Sequence, residues 1–405
     1  MSATAHLFAI QNPIRNYDWG STHLIADHLG RTPSGEPEAE MWLGAHPGDP
    51  SIESHTGTRL DAMVEANPAL LGEPSSDSTQ FPFLMKLLAA ERPLSLQVHP
   101  SKDQARAGYE REEAAGLTID NPQRSYKDRE HKPEIIVALT PFSALCGFRS
   151  PRESARDLAS ILRRGNGHEL ADQLLNLLGD DDEDRAIRSA FEFILSGHPQ
   201  VADVVAEVRR SAEGSALAAA ATVRLLGEKY GDDPGVLAAV LLNRIELQPG
   251  EAVFMGAGNV HAYLSGLGIE AMAPSDNVLR GGLTTKHVDV PGLLEIVNFT
   301  AITPTLITPE TQTEDGMTVT SYLAPVPEFS VHIIELESGT HTLEGITGPS
   351  VLIVAEGSLD LPSAAGPLHL KRGERAFQAA GGPLEVHAVG EKARIYLTTV
   401  GGVRP

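Results

Sequence analysis

A chain of 405 residues exceeds one ordinary hydrophobic core, so two or three domains are expected. A formal net charge of −22 excludes the broad basic surface that nucleic acid or an anionic membrane needs, and no apolar run reaches bilayer-spanning length. One cysteine, Cys146, excludes an internal disulfide framework, and Met1 to Ile10 lacks the basic start and apolar run of a signal peptide; cytoplasmic residence is expected.

Both tryptophans fall early, in Asn16-Tyr17-Asp18-Trp19-Gly20 and Glu40-Met41-Trp42-Leu43-Gly44. Aromatics beside Gly and Asn line pockets about as often as they fill cores, so both readings stay open for Trp19 and Trp42. Pro82 to Leu88 reads as a buried strand or short helix interrupted by Lys86, whose ordinary fate is to extend toward solvent.

In Leu94 to Pro100, apolar and polar residues alternate with a period of two. The pattern predicts a strand with Leu94, Leu96 and Val98 on one side and Ser95, Gln97 and His99 on the other. Gln97 and His99 then sit roughly 6.6 Å apart on one face, close enough to converge on one ion. Lys102 to Gly116 is helix-like. Tyr126 to Glu134 is a dense charged turn that places His131 and Lys132 beside the strand Glu134 to Leu139, whose one carboxylate must be paired, exposed or metal-bound.

From Pro151 to about Asp233 the chain turns Ala- and Leu-rich, and helical spacing is kept by Leu158, Ile161 and Leu162 and by Leu170, Leu174, Leu175 and Leu178. We expect a helical insertion within one β domain, with Asp180 to Asp184 as a solvated turn. The β pattern returns at Ile245. A Pro249-Gly250 turn starts a strand, and the Gly-rich turn through Gly258 delivers His261 onto the next.

The segment Gly268 to His287 mixes charge and glycine. Arg280 can donate two parallel hydrogen bonds to an oxyanion, Lys286 can hold a phosphate as a point charge, and Glu270 and Asp276 are candidate bases. A faint repeat aligns Gly373 to Gly381 with Gly250 to Gly258 and puts Leu384 where His261 stands. The C-terminal part, from about Tyr322, is therefore expected to be a second β unit without the metal ligand.

Gln97, His99, Glu134 and His261 together form a ligand set of two imidazoles, an amide and a carboxylate, for which zinc fits best and which also suits manganese, cobalt, nickel or iron. The stretches Gln97-Val98-His99-Pro100, His131-Lys132-Pro133-Glu134, Gly258-Asn259-Val260-His261-Ala262-Tyr263 and Ser275 to Thr284 resemble those of the type I phosphomannose isomerases. Asn16 to Gly20 and Lys86 also look like the family's. The resemblance implies cupin-type jelly-roll barrels, one zinc ion per chain on those four ligands, and interconversion of mannose 6-phosphate and fructose 6-phosphate with Arg280 in the active site.

On that reading the catalytic candidates are Arg280, Lys132, His131, Asp276 and Glu270, with Lys286, Lys86 and Trp19 on the substrate. The expected architecture is mainly β: a catalytic cupin domain (1–150 and 234–320), a helical insertion (151–233) and a metal-free cupin-like domain (321–405). The expected partner is a small phosphorylated sugar, and the expected state a monomer. A sugar-phosphate-binding cupin without turnover and an iron oxygenase of the same fold are the rival readings.

Overall fold

The computed structural model describes residues 6–72, 80–162, 169–363 and 366–405, with no side chains at 169 and 170. Met1 to Ala5 and the side chain of Leu170 thus lie outside the described residues. The chain is mainly β with helices, and among the described residues its strands form two antiparallel sheets, neither of whose pairing paths closes on itself.

The first sheet is organised around the long strand His261–Met272, flanked at one end by Leu84–Ala90 and Glu134–Ala138 and at the other by Phe142–Phe148 and Gln97–Val98. Between Tyr263 and Ser265 the register slips by one residue, and Gly266 follows at φ +116°. A side chain at Gly266 would meet the Pro141 carbonyl at 2.6 Å, so the strand can turn this corner only with glycine. The bulge switches the facing parity. Before it the odd residues His261 and Tyr263 look into the cavity described below; after it the even Glu270 does.

Cross-strand register sorts the neighbours in the same way. Glu270 lies opposite Lys86, and Lys86 opposite Trp42, while the intervening Met41, Met85, Leu87, Ile135, Ile269 and Ala271 point to the other face. That other face is dry. It packs on Val331, Val351, Ile353, Phe377 and Tyr396 of the second sheet in one continuous core.

The second sheet runs in the order Glu310–Glu314, Met317–Leu323, Ser330–Leu343, Leu384–Thr399, Ser350–Leu361, Arg375–Gln378, Leu7–Gln11, Ile52–Glu53. Leu7–Gln11, which the sequence reading grouped with the catalytic part, pairs here with Arg375–Gln378. Its short apolar run suits either sheet, and only the long-range partner decides. The faint repeat is exact in element boundaries at three points: Ala252–Met255 matches Arg375–Gln378, and Leu384 begins its strand as His261 does.

The helices lie where the composition put them, from Pro151–Leu162 to Ala218–Tyr230, but continue past the expected end through Pro234–Ala238. Leu158, Ile161, Leu174 and Leu178 form their buried stripe together with Phe191, Val204 and Leu226. Asp180 to Asp184 is more than a turn. Asp182 caps the Glu183–Leu195 helix by accepting from the Arg185 N–H at 3.0 Å, and Glu183 and Asp184 occupy the first turn, where the helix dipole favours acid.

Leu94 to Pro100 is less regular than its alternation predicted. Only Gln97–Val98 is a strand; the preceding residues are irregular and bond to scattered partners, Leu94 to Tyr263 and Leu96 to Gly282. Pro100 leads into Ser101, which closes a capping box with Gln104 on the Lys102–Ala114 helix.

Candidate metal centre and active-site cavity

Strand register gathers the ligand set. His261 lies opposite Gln97, and Met272 opposite Glu134, so the two ends of one bent strand bring an imidazole, an amide and a carboxylate together. His99 Nε2 lies 3.4 Å from Glu134 Oε1, and His261 Nε2 lies 3.1 Å from Glu134 Oε2. One ligand atom from each of the three falls within 4.8 Å of the others, and all three residues are buried.

Both imidazoles are anchored through the other nitrogen. His99 Nδ1 contacts the Asn277 carbonyl at 2.7 Å and His261 Nδ1 the Asn259 carbonyl at 3.0 Å. Carbonyls only accept, so Nδ1 carries the proton in each ring and Nε2 presents a lone pair. His99 Nε2 has no hydrogen-bond partner among the described residues. Two lone pairs and a carboxylate that face one another without a proton repel unless a cation lies between them. The site therefore fits a divalent metal, and the anchoring carbonyls are the outer partners that such ligands require.

Burial lowers the His99 imidazole to about 4, which keeps it neutral and able to coordinate. Burial also works against ionisation of Glu134, but its surroundings, with the Lys132 ammonium adjoining, outweigh it and hold the carboxyl well below the usual range. Lys132 Nζ is 3.3 Å away.

From this group a cavity of about 670 Å³ opens toward Trp19, Trp42, Lys86, Lys132, Glu270, Arg280 and Lys286. Lys86, expected to reach for solvent, is buried instead: its Nζ lies 2.7 Å from Glu270 Oε2, 3.6 Å from Glu40 Oε1 and 5.2 Å from the Trp42 ring centre. The Tyr263 hydroxyl donates to Glu270 Oε1 at 2.8 Å. Burial raises the Glu270 carboxyl, and Glu134 and Glu40 push the same way against the pull of Lys86. Three buried carboxylates, Glu40, Glu134 and Glu270, thus face two buried ammonium groups, Lys86 and Lys132. A divalent cation at the ligand set reverses that imbalance.

Arg280 lies opposite Gln97 in register. Its guanidinium lines the cavity, and among the described residues no carboxylate engages it; burial alone lowers its pKa. Lys286 lines the same wall and is lowered by burial and by Arg280. Trp19 stacks on Tyr17 at 5.7 Å between centroids, at the cavity edge.

Two candidates are placed elsewhere. His131 turns its Nε2 to Glu328 Oε1 at 2.7 Å, and Asp276 holds a half-exposed carboxylate 3.6 Å from His46; neither lines the cavity. Nearness to Glu134 singles out His131 in the sequence, and the charged Gly268 to His287 segment singles out Asp276, but nearness along the chain does not fix which way a side chain points. Glu40, Tyr263, Lys229 and Tyr230, all on the cavity wall, were missed. Glu40 and Trp42 do carry a signal, since they share the facing parity of Lys86 and Leu88 on the adjacent strand.

Fold and site together define a class: a two-sheet β protein whose buried His–Glu–His metal group heads a charged cavity. Residues 7–151 match the model of the phosphomannose isomerase type I catalytic domain, and residues 322–361 that of the phosphomannose isomerase type I C-terminal region. The mannose-6-phosphate isomerase of Escherichia coli (strain K12) is 36% identical over 393 residues, covering 95% of this chain and 98% of that protein. That of Bos taurus is 32% identical over 93% of this chain and 94% of its own. A crystal structure of a zinc-bound mannose 6-phosphate isomerase superposes with a TM-score of 0.84 at 32% identity, covering 98% of this chain and 100% of its own. The chain belongs to the type I phosphomannose isomerases.

Proposed function

We propose that this cavity interconverts D-mannose 6-phosphate and D-fructose 6-phosphate, with zinc on Gln97, His99, Glu134 and His261. The observation that carries the reading is the anchored pair of imidazoles whose Nε2 lone pairs face Glu134, beside the half-buried Arg280, which no carboxylate engages among the described residues. When bound, zinc supplies a Lewis acid; the rest of the chemistry falls to side chains.

An aldose–ketose isomerase removes the proton on C2, returns one to C1 through an enediol, and balances charge on two oxygens. Arg280, free of a competing acid, stabilises the developing oxyanion. Lys286, on the same wall, holds the phosphate. Of the four proton-transfer candidates only Glu270 and Lys132 line the cavity, and the raised Glu270 carboxyl suits a base working near neutral pH. Lys86 and Tyr263 fix its two oxygens. Trp19 walls the open side.

The two sheets are read as two cupin-type barrels: a catalytic one from 1–150 and 234–320 less the strands Leu7–Gln11, Ile52–Glu53, Glu310–Glu314 and the start of Met317–Leu323, the helical insertion at 151–233, and a metal-free one from 321–405 that takes up those strands. The matched strand–turn–strand units support this. A monomer is the proposed working unit, and the single buried Cys146 supports a cytoplasmic setting.

The test is conversion of mannose 6-phosphate by the purified protein before chelation, after it, and after zinc is restored. Activity lost and then recovered is expected. Metal bound at one per chain without turnover would replace the enzyme by a sugar-phosphate-binding module.

A further inference from the structure

The helical insertion carries none of the family's motifs, yet its last turns touch both segments that build the cavity wall. Lys229 Nζ and the Tyr230 hydroxyl both donate to the Pro93 carbonyl, at 2.9 and 2.6 Å, at the start of the Leu94–His99 segment. Four residues on, Asp233 Oδ1 accepts from the Gly235 N–H at 2.7 Å and from the Leu283 N–H at 2.8 Å. Leu283 belongs to the loop that runs from Arg280 to Lys286.

That loop is conformationally unusual where Asp233 holds it. Leu283 has φ +55°, a left-handed backbone that a branched side chain rarely adopts and that persists only where surroundings enforce it. Its neighbour Gly282 has φ +114°, and a side chain there would meet the Gly235 Cα at 2.8 Å and Asp233 Oδ1 at 2.9 Å. Two glycines from distant segments pack backbone to backbone, with the Asp233 carboxylate bonded to both strands of the contact. On its far side the loop is tied to the metal-bearing segment: Leu96 N–H to the Gly282 carbonyl at 3.1 Å, and Gly281 N–H to the Leu96 carbonyl at 3.0 Å. Beyond Leu283, by contrast, Thr284 to Lys286 are held within the loop by one bond, Lys286 N–H to Thr284 Oγ1 at 3.0 Å.

We infer that Asp233 of the helical insertion is a positioning residue for substrate: by fixing Leu283 in its left-handed conformation it presets the loop that carries Lys286 to the phosphate. The inference rests on the proposed role of Lys286. Asp233 touches no substrate. It acts through the Leu283 amide, so the acceptor oxygen matters and the negative charge does not.

The experiment compares Asp233→Ala and Asp233→Asn in the full-length, zinc-loaded enzyme. Asp233→Ala is expected to raise KM for mannose 6-phosphate roughly tenfold or more, the scale set by a positioning loop that shifts by about an ångström, with kcat changed much less and zinc still at one per chain. Asp233→Asn retains an acceptor oxygen and is expected to restore KM to within about twofold of the parent. Amide hydrogen exchange read over Leu283 to Lys286 should accelerate in Asp233→Ala and not in Asp233→Asn. Unchanged exchange in Asp233→Ala, or equal damage in both variants, overturns the inference. If exchange accelerates while KM holds, Asp233 does not position substrate and the inference fails. A Lys286→Ala variant with unchanged KM would instead remove the phosphate assignment of Lys286 itself.

Discussion

Two strand–turn–strand units, Ala252 to Met272 and Arg375 to Thr399, share three element boundaries and meet different fates. In the first, the turn delivers His261 to a carboxylate, and the strand then bulges and presents Glu270 to the same cavity. In the second, the turn delivers Leu384 into an apolar cluster with Leu343, Leu361 and Val386, and the face stays dry. Similar local backbones therefore support either a site or a core. What differs is the company each strand keeps: Glu134, Gln97 and Lys86 beside one, aliphatic side chains beside the other.

Exchanging the two key residues breaks the comparison most sharply. His261→Leu is expected to lower activity on the order of a thousandfold, since the several kcal/mol supplied by a bound metal go with it, and zinc measured by atomic emission should fall well below one per chain. The reciprocal Leu384→His should bind no second zinc and should cost about 2–5 kcal/mol of stability in a denaturant titration, for it buries an imidazole without partners. A second zinc on that variant would show that the apolar neighbours matter less than argued.

Lys86→Met tests the charged face. It strands Glu270 beside Glu40 without a cation, so stability should fall by about 3–5 kcal/mol, whereas the same side-chain length in a dry core would be tolerated. Part of the loss should return at lower pH, where Glu270 takes up a proton. Urea midpoints at two pH values would check both statements.

The smallest effect belongs to the dry half. His332 is buried between the Ser321 and Ser330 hydroxyls, each 2.8 Å from a ring nitrogen, and burial lowers it to about 3. Unfolded, it titrates near 6.5, so the unfolded state alone takes up the proton between those values. Stability is full above about 6.5 and declines as pH falls toward 3, by about 2 kcal/mol at pH 5 for this group. His332→Gln should remove that share of the acid sensitivity between pH 7 and 5, as read by chemical denaturation.

The same contrast explains what the sequence disclosed. His99, Glu134 and His261, which the structure brings together, were legible because each is a polar residue on or beside an apolar strand, where only pairing or a metal makes it tolerable. Lys86 was legible as an oddity, but its partner stands 184 residues away and no local pattern announces the pair. His131 stands close in the chain to Glu134, and Asp276 in a charged loop segment, but their side chains meet Glu328 and His46 instead of the cavity. Asp233 reads as an ordinary turn residue before Pro234-Gly235. Its second partner, the Leu283 amide, exists only once the insertion has folded back on the cavity.

The slipped register at Leu264 also bears on how the chain finds its fold. A regular ladder through that point would swing Glu270 into the apolar layer against the second sheet and turn Ile269 and Ala271 toward the polar cavity. Such a misregistered intermediate would bury a carboxylate with no cation near it, at a cost of several kcal/mol. The cost of burying that carboxylate thus disfavours any register in which the strand has not bulged.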